Sequence, residues 1–254
     1  MRASFSALGI ATFVACSTYG EADPGLVPAA DGGVPSDASS SDGAADASTN
    51  GGASCASSMA KVCDDFEGRT VPSAHPQWNG IDAEGLPVTA LAILPKQDGW
   101  ESAFLRATAP ALTATGGSWS YLQHQVTGSP ASITVALTVL VTGFTGPAEY
   151  VEVASIVESS TDRTFAVFLE GGQLKAGTKN VGYLAIGNAR ERTRYSMTVA
   201  ADAITVHDSG GVQLARLAGS VGPLVAPMHV GVGVVYADPT PGGTVDIDDV
   251  VVEY

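Results

Sequence analysis

The run Ser132-Ile133-Thr134-Val135-Ala136-Leu137-Thr138-Val139-Leu140-Val141-Thr142-Gly143 has a hydrophobic period of two. In an extended chain Ile133, Val135, Leu137, Val139 and Val141 share one face, and Thr134, Ala136, Thr138, Leu140 and Thr142 share the other. Strand side chains alternate between faces, so the pattern predicts a β-strand. Two fairly apolar faces make it a central one. The same period recurs at 86–94, 103–108, 119–127, 149–158, 163–170, 193–201, 203–208, 212–217, 228–236 and 244–253. Turn signals separate the runs: Thr115-Gly116-Gly117, Gly143 to Pro147, Gly171-Gly172, Ser209-Gly210-Gly211 and Pro239 to Gly243. No amphipathic helical run interrupts them. About a dozen short strands at this spacing predict an all-β domain, either a two-sheet sandwich or a barrel.

Composition narrows the function classes. The chain has 254 residues, 26 acidic against 12 basic side chains and a net charge of −14. A chain this acidic does not track a phosphate backbone by bulk charge, so no nucleic-acid partner is expected. Its 3 Cys exclude both a disulfide-dense mini-protein and a four-thiolate zinc site. The glycines sit in strand turns rather than in a Walker or Rossmann loop. A Ser-nucleophile elbow and a His pair at metal-ligand spacing are both missing from the sequence.

The acid surplus is uneven. Residues 17–54 carry Glu21, Asp23, Asp31, Asp37, Asp42 and Asp46 with no Lys or Arg, in a background of Ser, Ala, Asp and Gly. Such a segment has too little to bury to offset its ordering entropy, and the expectation for 16–54 is a disordered linker. Before it, Arg2 and the apolar run Phe5 to Ala15 form an export signal too short to cross a bilayer as a permanent helix. The signal ends in Phe13-Val14-Ala15-Cys16, which resembles a bacterial lipobox. That resemblance implies lipidation of Cys16 and an outer-membrane or cell-surface location, with the membrane reached only through the anchor. If the lipobox is unused, the product is a secreted protein. With Cys16 spent on lipid, Cys55 and Cys63 remain as an even pair at the start of a domain spanning 55–254, able to bridge in an oxidising compartment. Two free thiols are the alternative.

Two ends of the domain point further. Cys63-Asp64-Asp65-Phe66-Glu67-Gly68 with Trp78, and the closing Val245-Asp246-Ile247-Asp248-Asp249-Val250-Val251-Val252-Glu253, resemble the first and last strands of concanavalin A-like (laminin G-like, lectin and glucanase) jelly rolls. Arg194 to Val199 leading to Ile204-Thr205-Val206 resembles the hairpin of that fold, and Met228 to Gly233 its penultimate strand. The resemblance implies a two-sheet antiparallel jelly-roll sandwich in which the first and last strands pair. Val245 and Ile247 can share a face with Val250 and Val252 only if one extra residue is absorbed, which predicts a β-bulge at Asp248-Asp249.

Two constellations carry candidate chemistry. Asp64, Asp65, Asp248 and Asp249 come close if the end strands pair, and hard oxygen ligands suit Ca²⁺, a structural ion that the resemblance implies. Solvated edge carboxylates are the alternative. In the strand at 119–127, Trp119, Tyr121, Gln123 and Gln125 share one face. Flat aromatics stack on sugar rings and amides bond hydroxyls, so this row suits a glycan if it faces outward; facing inward, it belongs to the core.

Laminarinase-like relatives imply a Glu-x-Asp-x-x-Glu strand. Here Glu149 and Glu152 alternate to opposite faces, and Glu152 and Glu158 share a face but lie far apart along it. A lyase would draw on His124, Tyr121, Gln123, Gln125 and Arg163. Arg190, Arg192 and Arg194 alternate, either to meet a carboxylated glycan or to protect a sheet edge. The expectation is a monomeric, non-catalytic, lectin-like glycan-binding domain. A polysaccharide-cleaving enzyme of the same fold and a structural or protein-binding surface module are the alternatives.

Overall fold

The computed structural model describes residues 60–97, 99–111, 117–144, 150–219, 221–236 and 241–254. The export signal, the linker, Cys16 and Cys55 lie outside the described residues, and so does the Cys55 end of the expected bridge to Cys63.

In chain order the strands are β1 Ala60–Asp64, β2 Gly80–Glu84, β3 Leu91–Leu94, β4 Phe104–Ala109, β5 Ser118–Val126, β6 Ser132–Gly143, β7 Tyr150–Glu158 and β8 Arg163–Glu170. They continue as β9 Gln173–Thr178, β10 Gly182–Asn188, β11 Thr193–Ala200, β12 Ala203–Asp208, β13 Gln213–Ala218, β14 Met228–Tyr236 and β15 Gly243–Glu253. All pairings between these strands are antiparallel. One sheet runs β13-β12-β11-β6-β15-β4-β3, with β1 added to β15, and the second runs β10-β9-β8-β7-β14-β5-β2. The architecture is the predicted two-sheet sandwich and not a barrel.

Strand β6 occupies the residues read from its periodicity, and Ile133, Val135, Leu137, Val139 and Val141 are all buried between the sheets. At the expected hairpin β11 pairs with β12, Val199 opposite Ile204. The first and last strands pair as well, with Val62 opposite Val252 and Asp64 opposite Val250.

The predicted bulge is present. From Asp248 to Val251, β15 advances three residues while its partner β6 advances from Thr138 to Ala136, and Asp249 takes a left-handed φ of 53°. The extra residue keeps Val245, Ile247, Val250 and Val252 on the core side, where all four are fully buried. It also divides one edge of β15. Residues 243–247 pair with β4, and residues beyond the bulge pair with β1.

Besides β1, whose Cys63-Asp64 end was located by the resemblance and not by period, three strands escape the periodicity reading. β2 is Gly-Ile-Asp-Ala-Glu, β9 carries Lys175 and Gly177, and β10 buries only Ile186, so none of the three offers a clean apolar alternation. β10 and β2 are sheet edges, where the pattern is weakest. The run at 86–94 is shorter than read, because Pro87 leads into a 3-10 turn at Val88–Ala90 and only Leu91–Leu94 is strand.

Candidate functional site

Strand β5 settles which way the aromatic row faces. Ser118, Ser120, Leu122 and Val126 are buried on the sandwich side, while Trp119, Tyr121 and Gln123 are half-buried and Gln125 is exposed. All four residues of the row therefore lie on the outer face of the seven-stranded sheet. The core alternative is excluded.

The neighbouring strands place specific groups around this row. In β2, Asp82 pairs opposite Tyr121 and accepts two hydrogen bonds, from Trp119 Nε1 at 3.2 Å and from Tyr121 Oη at 3.0 Å. In β14, Gly231 and Gly233 stand opposite Gln123 and Tyr121. The absence of a Cβ at Gly231 lets the Tyr121 ring lie against the backbone, since a Cβ there would sit 2.9 Å from Tyr121 Cδ2. His229 follows on the same face of β14. Its ring runs nearly parallel to that of Tyr121, with centroids 6.1 Å apart and Nε2 3.4 Å from Tyr121 Oη.

Beyond β14 the face continues with β7 and β8. Tyr150 Oη donates to Glu152 Oε1 at 2.7 Å. The Tyr150 ring packs on Phe168 with centroids 4.7 Å apart, and Phe168 meets Tyr183 of β10 edge-on at 4.9 Å. A pocket of about 240 Å³ opens at this end, bordered by Tyr150, Thr164, Ala166, Gly177, Lys179 and Tyr183. Aromatic side chains therefore occur on β5, β7, β8 and β10 of one sheet face, with the glycines of β14 among them. The sequence reading found only the β5 members. Tyr150 and Phe168 were legible as alternating positions within their predicted strands, but Tyr183 sits on a strand that periodicity did not reveal.

Protonation follows from this packing. Burial, reinforced by the Asp82 carboxylate, keeps the Tyr121 hydroxyl protonated far above its ordinary range. Burial and Glu152 do the same for Tyr150. Burial raises Glu152, against a hydrogen bond from Tyr150 that favours its charged form. Burial lowers His229, with Asp82 opposing, which favours its neutral imidazole. Around the Asp82 carboxylate the face presents tyrosine hydroxyls, flat rings and amides, with the Lys175–Glu170 ion pair on its β8–β9 side.

Several expectations are corrected. The carboxylates Asp64, Asp65, Asp248 and Asp249 do not form one ligand set, and among the described residues no group of three or more His, Cys, Asp or Glu side chains could hold a metal ion. Asp64 is already engaged by Trp78 Nε1 at 2.6 Å, by the Phe66 N–H at 2.8 Å and by the Arg69 guanidinium. Arg69 thus supplies the positive charge a calcium ion would bring. Asp248 instead accepts from Ser102 Oγ and from the Asp249 N–H. The residues do not fit the Ca²⁺ site implied by the resemblance.

His124 also leaves the candidate list. It lies off the outer row, with Nδ1 2.7 Å from the Gln77 carbonyl and Nε2 3.3 Å from Tyr254 Oη. The imidazole on the open face is that of His229. Arg163 is bound to buried Glu158 through Nε at 2.6 Å and Nη2 at 2.7 Å, and it also borders the pocket beside Tyr150 and Tyr183. A bulge in β7 between Glu152 and Ala154 breaks the alternation, so Glu152 faces outward while Glu158 is fully buried. Of the arginine row only Arg194 lies in a strand of the other sheet, β11, where it donates to the Asp249 carbonyl at 2.9 Å, while Arg190 and Arg192 lie in the connection before it, with Arg192 over the Trp100 ring.

With strand order, register and the outward row in place, known structures can be compared. The fold is that of the concanavalin A-like jelly rolls. The chain is similar to the cellulose induced protein Cip1, with a TM-score of 0.53 and 12% identity over 75% of this chain and 96% of that one. It is similar to SCLam, a non-specific endo-β-1,3(4)-glucanase of family GH16, with a TM-score of 0.53 and 12% identity over 77% of this chain and 90% of that one. No family model matches the sequence, and no curated protein matches it. At such identities the likeness concerns the fold.

Proposed function

We propose that the outer face of the seven-stranded sheet binds a glycan, and that the domain is a non-catalytic, lectin-like module exported from the cell and held at its surface through lipid on Cys16. The observation that carries this reading is the outward row Trp119, Tyr121, Gln123 and Gln125, with Asp82 bracing both aromatic rings. An aromatic face removes water from the apolar side of a sugar ring, and a pre-positioned ring loses little freedom on binding. Amides and tyrosine hydroxyls beside it match sugar hydroxyls.

A glycan array and affinity electrophoresis on neutral and acidic polysaccharides test the reading, starting with β-1,3(4)-glucan, the substrate class of the similar glucanase. Binding that disappears in the Trp119→Ala/Tyr121→Ala double variant supports it. No hit across either class overturns it. Lipidation is checked separately by radiolabelled palmitate incorporation in wild type and Cys16→Ala.

A second reading has one observation behind it. Glu152 is a carboxyl raised by burial on the same face as Tyr121 and His229, and a carboxyl raised in this direction is the kind of group general-acid catalysis uses. Product formation from a bound polysaccharide, lost in Glu152→Gln while binding persists, would establish cleavage instead.

A further inference from the structure

The aromatic face of the seven-stranded sheet carries a charge pattern of its own. Directly opposed residues of an antiparallel pair share a face. Asp82 and Glu84 stand opposite Tyr121 and Trp119, Glu152 and Lys175 stand opposite Phe168, and Glu170 stands opposite Tyr150. Lys175 Nζ bonds Glu170 Oε2 at 2.5 Å, which cancels that pair. At the β8 end of the face Arg163 is neutralised by Glu158, and Lys179 borders the same pocket as Asp162. Asp82, Glu84 and Glu152 are the surplus, and all three carry the same sign.

Two of these carboxylates are built into the aromatic row without a cation. Asp82 accepts from Trp119 Nε1 and Tyr121 Oη, and Glu152 accepts from Tyr150 Oη. Ion pairs among the described residues engage Asp64, Asp246, Glu158, Glu170 and Asp249, and neither Asp82 nor Glu152 is among them. Three tyrosines gather around Glu152, whose carboxylate acts on the hydroxyls of Tyr121, Tyr150 and Tyr183 and raises each of them. A part-buried carboxylate without a countercharge is costly, and the tyrosine rings beside it attract a cation to their faces.

The cation that fits is organic. Among the described residues no group of three or more His, Cys, Asp or Glu side chains could hold a metal ion. An ammonium group needs only one carboxylate and the faces of neighbouring rings. Asp82 lies on β2 and Glu152 on β7, three strand spacings or about 14 Å apart, which is the span of an oligomer rather than of one ring. Gln123 and Gln125 add amides suited to hydroxyl groups, which a sugar carries and a lysine side chain lacks. Resting on the glycan reading above, we infer that this face selects a glycan of amino sugars with free, protonated amines over neutral and carboxylated glycans, with Asp82 and Glu152 each meeting an ammonium group.

The test is calorimetric titration of the full chain in a mildly acidic buffer, which keeps the amines charged. The probes are a β-1,4-linked glucosamine hexamer, cellohexaose as the same backbone with hydroxyls in place of the amines, a galacturonate hexamer and hexalysine. The glucosamine oligomer should bind about tenfold more tightly than cellohexaose, the scale of one charge-assisted hydrogen bond, and the galacturonate oligomer should bind most weakly. Glu152→Gln should reduce the ratio of the first two affinities by about tenfold. Asp202→Asn, which removes one exposed charge from the β11–β12 turn of the other sheet, should leave the ratio unchanged. The ratio is the quantity read because a folding defect lowers both affinities together. A ratio near one, an equal loss in Asp202→Asn, or tighter binding of hexalysine than of the glucosamine oligomer would overturn the inference. Cellohexaose binding that disappears in Trp119→Ala/Tyr121→Ala would leave the glycan reading standing in those cases. Binding of none of the three oligosaccharides would overturn both.

Discussion

Tyr121 lies against Gly231: a methyl group at position 231 would sit 2.9 Å from Tyr121 Cδ2 and 3.2 Å from Cε2. The glycine sets how low the ring lies on the sheet, and so where a sugar would stack. Gly231→Ala should lift the ring and weaken glycan binding by about tenfold while costing about 1 kcal/mol of stability. Calorimetric titration and thermal melting check the two numbers separately. Unchanged affinity would show that Tyr121 is not part of the platform.

Asp82 sets the orientation of the same platform from the side. With both Trp119 Nε1 and Tyr121 Oη on one carboxylate, Asp82→Ala frees two rings at once. Affinity should fall by tenfold or more, about 1.4 kcal/mol, because each ring must then be ordered on binding. Asp82→Asn, which keeps one acceptor, should recover part of it. A uniform loss in both variants would point to a charge effect instead.

Glu158 is fully buried and depends on Arg163. Burial alone would raise its pKa. Hydrogen bonds from Arg163, Thr161 and the Val225 N–H outweigh that and lower it. Its folded pKa therefore lies below its unfolded one, so this stabilisation is present above the unfolded pKa and fades as pH falls through the folded one. Arg163→Met leaves the carboxylate uncompensated and should cost about 3–5 kcal/mol at neutral pH. The deficit should shrink under acid conditions, where Glu158 is protonated. Denaturant melts at neutral and acidic pH measure both.

Asp248 has the opposite sign. Burial pushes it up to about 7, the Asp249 and Asp65 carboxylates add to this, and the hydrogen bonds from Ser102 and the Asp249 N–H oppose it. Between the unfolded pKa near 4 and about 7 the native state binds the extra proton, so stability falls as pH rises through that window. Asp248→Asn keeps an acceptor and abolishes the titration. Relative to wild type it should gain about 2 kcal/mol between pH 5 and pH 8. Melting curves that stay parallel over this range would contradict the assignment.

Where a strand buries one face, the sequence alone specifies it. β6, β8, β12 and β14 begin and end at the residues their alternation predicts, since removing apolar side chains from water fixes the period at two. The bulge at Asp248-Asp249 was legible for the same reason: four valine and isoleucine side chains had to reach one core across an odd spacing. β2 and β10, with little to bury, left no such trace, and β9 buries Leu174 and Ala176 in a run too short and too mixed with Lys175 and Gly177 to show its period.

The direction of each face depends on tertiary structure. Alternation groups Trp119 with Tyr121, Gln123 and Gln125 but is symmetric between core and solvent, and only the second sheet packing on Leu122 and Val126 chose the outward direction. It likewise could not foresee Asp82, His229, Tyr150 and Tyr183 on the same face, because they come from strands distant in sequence and adjacent only after pairing. The bulge in β7 separated Glu152 from Glu158 in a way no period predicts. Asp64 shows the same limit at a single charge. As sequence it is an acid available to a metal, and packing placed Arg69 and Trp78 on its two oxygens. The sequence of this chain determined which residues must leave water. Which of the remaining side chains meet was decided by the order and register of the sheets, because hydrogen-bonded pairing brings together residues that the local pattern cannot relate.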